Sequence, residues 1–320
     1  MSAASEFNHL PVLFRQTLEQ LAIVPGGCYI DCTLGGGGHS AAILERLGPS
    51  GHLYGFDKDK DALAAAEARL AQIQSTGTYH LIHTDFGNIA QAVVDHQIPP
   101  ANGILADLGV SSWQLDQAER GFSYMQDGPL DMRMNQTYGQ TAADLVNTAS
   151  EAELTQIIQA YGEERYARRI SQQIIRSRQD HPITTTTELA AVIRRAMPAQ
   201  ALREAQHPAK RTFQAIRIAV NGELTALENL LRAIPDVLAP GGRAAIITFH
   251  SLEDRLVKEA FRTWESPCTC PREFPVCICG KKSQGRVITR KPLIADEIEM
   301  KENPRARSAK LRVFEKSPAL

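Results

Sequence analysis

The 320-residue chain contains no run of eighteen apolar residues, which excludes a membrane-spanning helix and leaves no membrane partner to consider. Its first ten residues lack the basic-then-apolar pattern of a secretory signal, so the expected location is the cytoplasm. A net charge is almost absent: 35 Lys and Arg stand against 36 Asp and Glu. Cysteine is sparse, at six residues, and in a cytoplasmic chain these are expected as reduced thiols or metal ligands rather than disulfides. Also missing is a Gly-Lys-Ser/Thr after the one glycine cluster, so that cluster is not a phosphate-binding P-loop.

The charge balance conceals a strong asymmetry. Residues 1–160 carry 7 basic and 18 acidic side chains, whereas 161–217 carry 11 and 5, and 281–320 again 11 and 5. Two basic blocks in a neutral chain point to contact with a polyanion, or else to two solvated helical faces. The 43% apolar content is enough for a substantial core.

Short apolar runs alternate with helical patterns through the first half, the rhythm of βα units around a parallel sheet. Strands are expected at Cys28–Asp31, His52–Phe56, Tyr79–His83 and Gly103–Asp107, the last ending on an acid. The rhythm then breaks into an irregular polar stretch, 111–134. Capping boxes at Ser150–Glu153 and Thr185–Glu188 open two helices, the first broken near Gly162 and the second ended by Pro198. No strand signal falls between about 140 and 212. The βα pattern resumes at Phe213, with an amphipathic helix over 214–234, a turn at Val237–Gly242 and an apolar strand over Arg243–Phe249, as expected for a strand buried on both faces. The order predicts an α/β fold whose sheet domain is split: 1–139, a helical insertion over 140–212, and 213–320.

Asp31 to His39 follows a strand and precedes a helix, and glycines 35–38 let the backbone turn sharply and approach a ligand closely. Asp57 ends the second strand, where a carboxylate can accept both hydroxyls of a ribose, or merely cap the following helix. Asp85–Phe86 follows the third strand and suits the edge and face of an adenine. Polar residues at four successive strand ends line the crevice in which open α/β sheets bind ligands, which fits either NAD or S-adenosylmethionine.

The Leu-x-Pro-Gly-Gly turn feeding the last apolar strand is common in Rossmann-like methyltransferases, and further segments narrow the resemblance. His9–Leu13, Tyr29–His39, Asp107–Asp116, Arg120–Arg133, Thr212–Arg217, Phe249–Arg255 and Asn303–Ser308 together resemble the MraW-type small-subunit ribosomal RNA (cytosine-N4)-methyltransferases, over nearly the whole chain. Trp113 stands where the family often has Pro. The resemblance implies a Rossmann-like S-adenosylmethionine-dependent methyltransferase sheet with an inserted all-helical substrate-recognition domain. It implies that Gly37, Gly38, His39, Asp57, Phe86, Asp107 and Gln114 contact S-adenosylmethionine. The partner it implies is 16S ribosomal RNA within the small ribosomal subunit; a homodimer stays open.

Transfer of a methyl group to cytosine N4 requires an in-line arrangement, and an acceptor for an N4 hydrogen helps localise its lone pair. Many amino-methyltransferases carry an Asp/Asn-Pro-Pro-aromatic tetrad after the fourth strand; this chain has Asp107–Ser112 without the Pro-Pro-aromatic part. Asp107 is the candidate catalytic residue, orienting the amine, or is instead a cofactor ligand. Ser111, Ser112 and the 127–131 loop are weaker candidates, and His250 is expected to be structural. Carbon-5 methylation would need a cysteine nucleophile; Cys28 and Cys32 sit on or just after the first strand, facing the wrong chemistry.

Cys268, Cys270, Cys277 and Cys279 form two Cys-x-Cys pairs. Four thiolates so close could hold zinc, but one-residue spacers strain a tetrahedral site, so the sequence favours a loop of packed reduced thiols and assigns no metal ligand. The leading expectation is methylation of a cytidine amine in ribosomal RNA. The alternatives are an amino-methyltransferase acting on DNA or protein, and a non-catalytic RNA-binding assembly factor.

Overall fold

The computed structural model describes residues 11–271, 273–274, 276 and 278–318. The chain divides into two compact units, 1–109 with 224–320, and 110–223. The first unit carries a seven-stranded sheet: β1 (Cys28–Asp31), β2 (His52–Asp57), β3 (Thr78–His83), β4 (Ala101–Asp107), β5 (Leu238–Thr248), β6 (Gly285–Val287) and β7 (Lys310–Lys316). The order is β3-β2-β1-β4-β5-β7-β6; the first five strands run parallel and β7 is antiparallel to both neighbours. This is a Rossmann-like sheet, and the strand order reverses between β1 and β4, the position at which such sheets open a crevice for ligands.

Side chains alternate across the sheet with period two, which sorts its apolar residues into two cores. Ile30, Ile104, Ala106, Ala244 and Ile246 enter one, together with Leu227, Leu230 and Ile234 of the helix Glu223–Val237. Tyr29, Leu53, Leu105, Ala245, Ile247, Leu311 and Val313 enter the other, with Leu18 and Leu21 of the helix Phe14–Leu21. Cys28 and Cys32 are buried in the first core, and burial pushes the Cys28 thiol up to about 11 and Cys32 well above the usual thiol range. Neither can act as a nucleophile, in keeping with the rejection of carbon-5 chemistry.

The Val237–Gly242 segment is not a free turn. β5 begins at Leu238, and between the pairs Ala101↔Leu238 and Gly103↔Arg243 it carries a bulge. Gly241 takes φ +75°, and a Cβ on Gly242 would lie 2.6 Å from the Ala101 carbonyl oxygen. The glycines therefore let β5 kink within the ladder instead of ending it.

The second unit is wider than the expected 140–212 insertion. Its core joins Phe122, Leu130, Met132 and Met134, from the irregular stretch, to Leu154, Ile158, Ile170, Ile174, Leu189, Phe213 and Ile216. The irregular stretch has no helical or strand period because it is tied by side-chain–backbone bonds. Arg120 donates to the Met134 carbonyl (2.8 Å), while Asn221 donates to the Met132 carbonyl (2.7 Å) and accepts from the Met134 amide (2.8 Å). Its α-helices are Ser112–Asp116, Ala142–Thr148, Glu151–Gly162, Ala167–Asp180, Thr186–Ala196 and Lys210–Asn221. Both expected capping boxes are present, at Ser150 and Thr185, with others at Ser111 and Thr141. A Cβ on Gly162 would meet the Arg211 carbonyl oxygen at 2.7 Å, so glycine there lets two helices of this unit pack closely.

Candidate functional site

Three carboxylates end adjacent strands: Asp57 on β2, Asp31 on β1 and Asp107 on β4. Asp31 is fully buried and accepts from the Ser40 hydroxyl (2.7 Å) and the Thr33 amide (3.1 Å). Burial pushes its pKa up to about 6, against the pull of those bonds. Asp57 accepts from the amides of Gly35 (2.9 Å) and Asp59 (2.8 Å), and burial again raises it to about 6. Its carboxylate therefore fixes the glycine loop to the second strand, and the helix after it is capped by Asp59, not by Asp57.

Asp107 is the most perturbed. Its amide donates to the Thr33 hydroxyl at 2.6 Å, and its side chain is 24% exposed, yet Oδ1 is buried and has no hydrogen-bond partner among the described residues. Burial, then the charges of Asp31 and Glu253, push its pKa up to about 8. Oδ2 lies 3.9 Å from Nδ1 of His39, too far for a hydrogen bond. His39 is buried, stacks on Phe14 at 5.7 Å between ring centroids, and has an Nε2 that also lacks a partner among the described residues. Burial holds it down to about 4, so at neutral pH the imidazole is uncharged and the facing carboxyl is largely protonated.

The glycine loop is shaped by close approach. Gly37 takes φ +72°, and a Cβ there would lie 3.2 Å from Cα of Ala66; on Gly38 it would meet Pro11 at 2.5 Å. The first unit thus brings together Gly37, Gly38, His39, Asp57 and Asp107, with Phe86 just past β3, half-buried against the core beside Ile89. Asp85 is committed elsewhere: it caps its own turn at the Gly87 amide (2.8 Å) and takes Lys58 Nζ at 3.0 Å. Gln114 belongs to the second unit, where its side-chain oxygen accepts from the Ser111 amide (3.0 Å) to close a capping box.

Two residues of this region carry no role in the sequence reading. Asp31 is visible there as a strand-ending acid, the same signal that marks Asp57 and Asp107. Glu253 has no such signal: it becomes apparent only because His250 serves as the N-cap of the helix Ser251–Glu265. His250 Nε2 stands 3.1 Å from Glu253, whose other oxygen accepts from the Phe249 amide at 2.8 Å. The histidine caps this helix, and the turn places a buried acid close enough to raise Asp107.

An amine-orienting acceptor and a cationic ligand both call for a carboxylate cluster of this kind at a topological switch point. Across residues 6–317 the sequence matches the MraW methylase family. The ribosomal RNA small subunit methyltransferase H of Symbiobacterium thermophilum is 54% identical over 98% of each chain. That of Geobacter sp. strain M21 is 51% identical over 97% of this chain and 99% of its own. A family match over nearly the whole chain and relatives more than half identical over their full length show that the chain belongs to the MraW methylase family.

Proposed function

We propose that this chain transfers a methyl group from S-adenosylmethionine to the exocyclic N4 amine of a cytidine in 16S ribosomal RNA. The substrate is the RNA within the small ribosomal subunit, in the cytoplasm. The observation that carries the reading is the Asp107 carboxyl: an uncommitted oxygen at the switch point, held by burial with its proton on until a cation or a donor arrives.

The residues present fit S-adenosylmethionine. Gly37 leaves no room for a side chain between the loop and Ala66, Asp57 keeps oxygen lone pairs beyond its two amide bonds, and the unpartnered atoms of His39 and Asp107 can each take one more hydrogen bond. When bound, S-adenosylmethionine supplies a methyl group on a sulfonium. Asp31, Asp57 and Asp107 would favour a cation at this end of the sheet, and their raised pKa values would fall on its binding. Asp107, once ionised, accepts a hydrogen from the cytosine amine, localises the nitrogen lone pair and aims it at the methyl carbon. The amine proton released on transfer passes to Asp107, whose ordinary state in this site is protonated. In the second unit, the exposed Arg168, Arg169 and Arg176 suit phosphate contacts.

The test is incubation of the protein with labelled S-adenosylmethionine and, separately, small ribosomal subunits, free rRNA, DNA and bulk protein. Label recovered as N4-methylcytidine from the ribosomal RNA supports the proposal. Transfer only to DNA or protein, or none at all, refutes it.

A further inference from the structure

Segment 266–284 joins the helix Ser251–Glu265 to β6, and its two ends are pinned together where the Gln284 amide donates to the Trp264 carbonyl at 2.8 Å. Between them the described residues form no helix or strand, and none is buried. Even the apolar ones face solvent: Phe274 is 47% exposed, Val276 70% and Ile278 74%. Loops longer than about 15 residues without regular structure are unusual in a compact domain, and this one buries too little to offset the entropy of ordering it.

The thiols supply what the apolar residues do not. Sγ atoms of Cys268, Cys270 and Cys279 all lie within 4.8 Å of one another, and those of Cys268 and Cys279 are 3.9 Å apart. That spacing is far beyond a sulfur–sulfur bond of about 2.05 Å. It is close to the edge of a tetrahedron of sulfurs around zinc, which at a zinc–sulfur distance of about 2.3 Å measures roughly 3.8 Å. The Ile278 amide points at Cys270 Sγ at 3.3 Å, so a backbone donor already faces one of the sulfurs. The expectation of packed reduced thiols describes Cys28 and Cys32, which are buried in the core, but not this group. Here one thiol is exposed, two are half-buried, and all three converge without a core around them.

We infer that Cys268, Cys270 and Cys279 bind a structural Zn²⁺ that closes the 266–284 loop. Each thiol releases its proton to solvent as its sulfur joins the metal, with no change of oxidation state. Zinc in such sites takes four ligands, three of which these thiols supply. The metal lies outside the methyl-transfer machinery; its work is that of a missing core, as in small domains that cannot bury enough surface.

The experiment is elemental analysis of the full chain, purified under reducing conditions without added metal. About one zinc per chain is expected, falling to less than about a fifth in Cys268→Ser/Cys279→Ser. If that variant does not fold, the parent protein alone decides through alkylation read by mass spectrometry. Cys268, Cys270 and Cys279 should resist iodoacetamide until a chelator is added, while Cys28 and Cys32 stay unmodified throughout. Absence of zinc, alkylation indifferent to chelator, or disulfides among these cysteines in the reduced protein would each overturn the assignment.

Discussion

Asp107→Asn should stabilise the cofactor-free protein against alkaline pH while abolishing methyl transfer. In the folded chain the carboxyl titrates at about 8, against an ordinary value of 3.8. A raised carboxyl pKa means that the folded state holds the proton more tightly than the unfolded one. Its stabilising contribution is therefore complete below about pH 4 and drains away up to about pH 8. At 1.36 kcal/mol per unit, the loss between pH 5.5 and 8 is at most about 3 kcal/mol; partial exposure and relaxation reduce it to roughly 1–3 kcal/mol. Asparagine has nearly the same shape and does not titrate, so the parent should lose about 2–8 °C of melting temperature relative to the variant across that interval. Taking the difference between two pH values cancels any fixed cost of burying the amide. Saturating S-adenosylmethionine should reverse the trend, since a cation beside Asp107 favours its charged form. The assay is thermal unfolding of both proteins at pH 5.5, 6.5, 7.5 and 8, with and without cofactor. Parallel pH profiles without cofactor would mean that Asp107 is already ionised when folded, and the account of its chemistry would fail.

Other perturbations separate the roles of neighbouring residues. Asp57→Asn should weaken cofactor binding by about ten- to a hundred-fold in calorimetry. Asp57→Ala should in addition destabilise the first unit, because the Gly35 and Asp59 amides lose their acceptor. Gly37→Ala, forced into φ +72° against Ala66, should cost about 1–2 kcal/mol of stability and reduce cofactor affinity, both measurable by calorimetry. Asn221→Ala leaves the Met132 carbonyl and the Met134 amide without their partner and should cost about 2–3 kcal/mol, seen as faster hydrogen exchange confined to 120–134 and its surroundings. Replacing Arg305, Arg307 and Lys310 by Ala should lower the salt slope of RNA binding by about one to two units, less than three full contacts, because Lys310 already pairs with Asp254 at 3.2 Å.

Where the periodicity is strong, it was enough. β1, β2, β4 and the buried end of β5 are apolar runs that end on acids or turns, and the capping boxes at Ser150 and Thr185 set helix starts to the residue. β7 escaped because Lys310–Lys316 alternates cations with apolar residues, and its charges read as a basic block. Two of those cations are in fact held by Asp254, and Arg312 is buried against the sheet. Arg178, in the other basic block, donates to the Val146 and Ala149 carbonyls (2.9 and 2.7 Å) and so serves a helix end. The second unit reaches beyond 140–212 because bonds such as Asn221 to Met132 join residues far apart in sequence and leave no local pattern. At the site, the acids were legible one strand at a time, but their mutual effect on proton affinity required the sheet order.

The connection between β4 and β5 has a consequence for synthesis. Asp107 pairs with Ile247, about 140 residues later, and the whole second unit is translated between them. At ribosomal speeds of about 5–20 residues per second, β4 waits on the order of 7–30 s for its neighbour. During that interval a nascent β3-β2-β1-β4 sheet has a bare apolar edge at Ile104–Ala106, the kind of edge that invites intermolecular pairing. The helical unit, dominated by local contacts, can fold as it emerges and draw the two ends of the gap together. Variants that slow folding of residues 110–223 should therefore aggregate during expression even where the finished protein is stable, and supplying chaperones should rescue yield without changing the melting temperature.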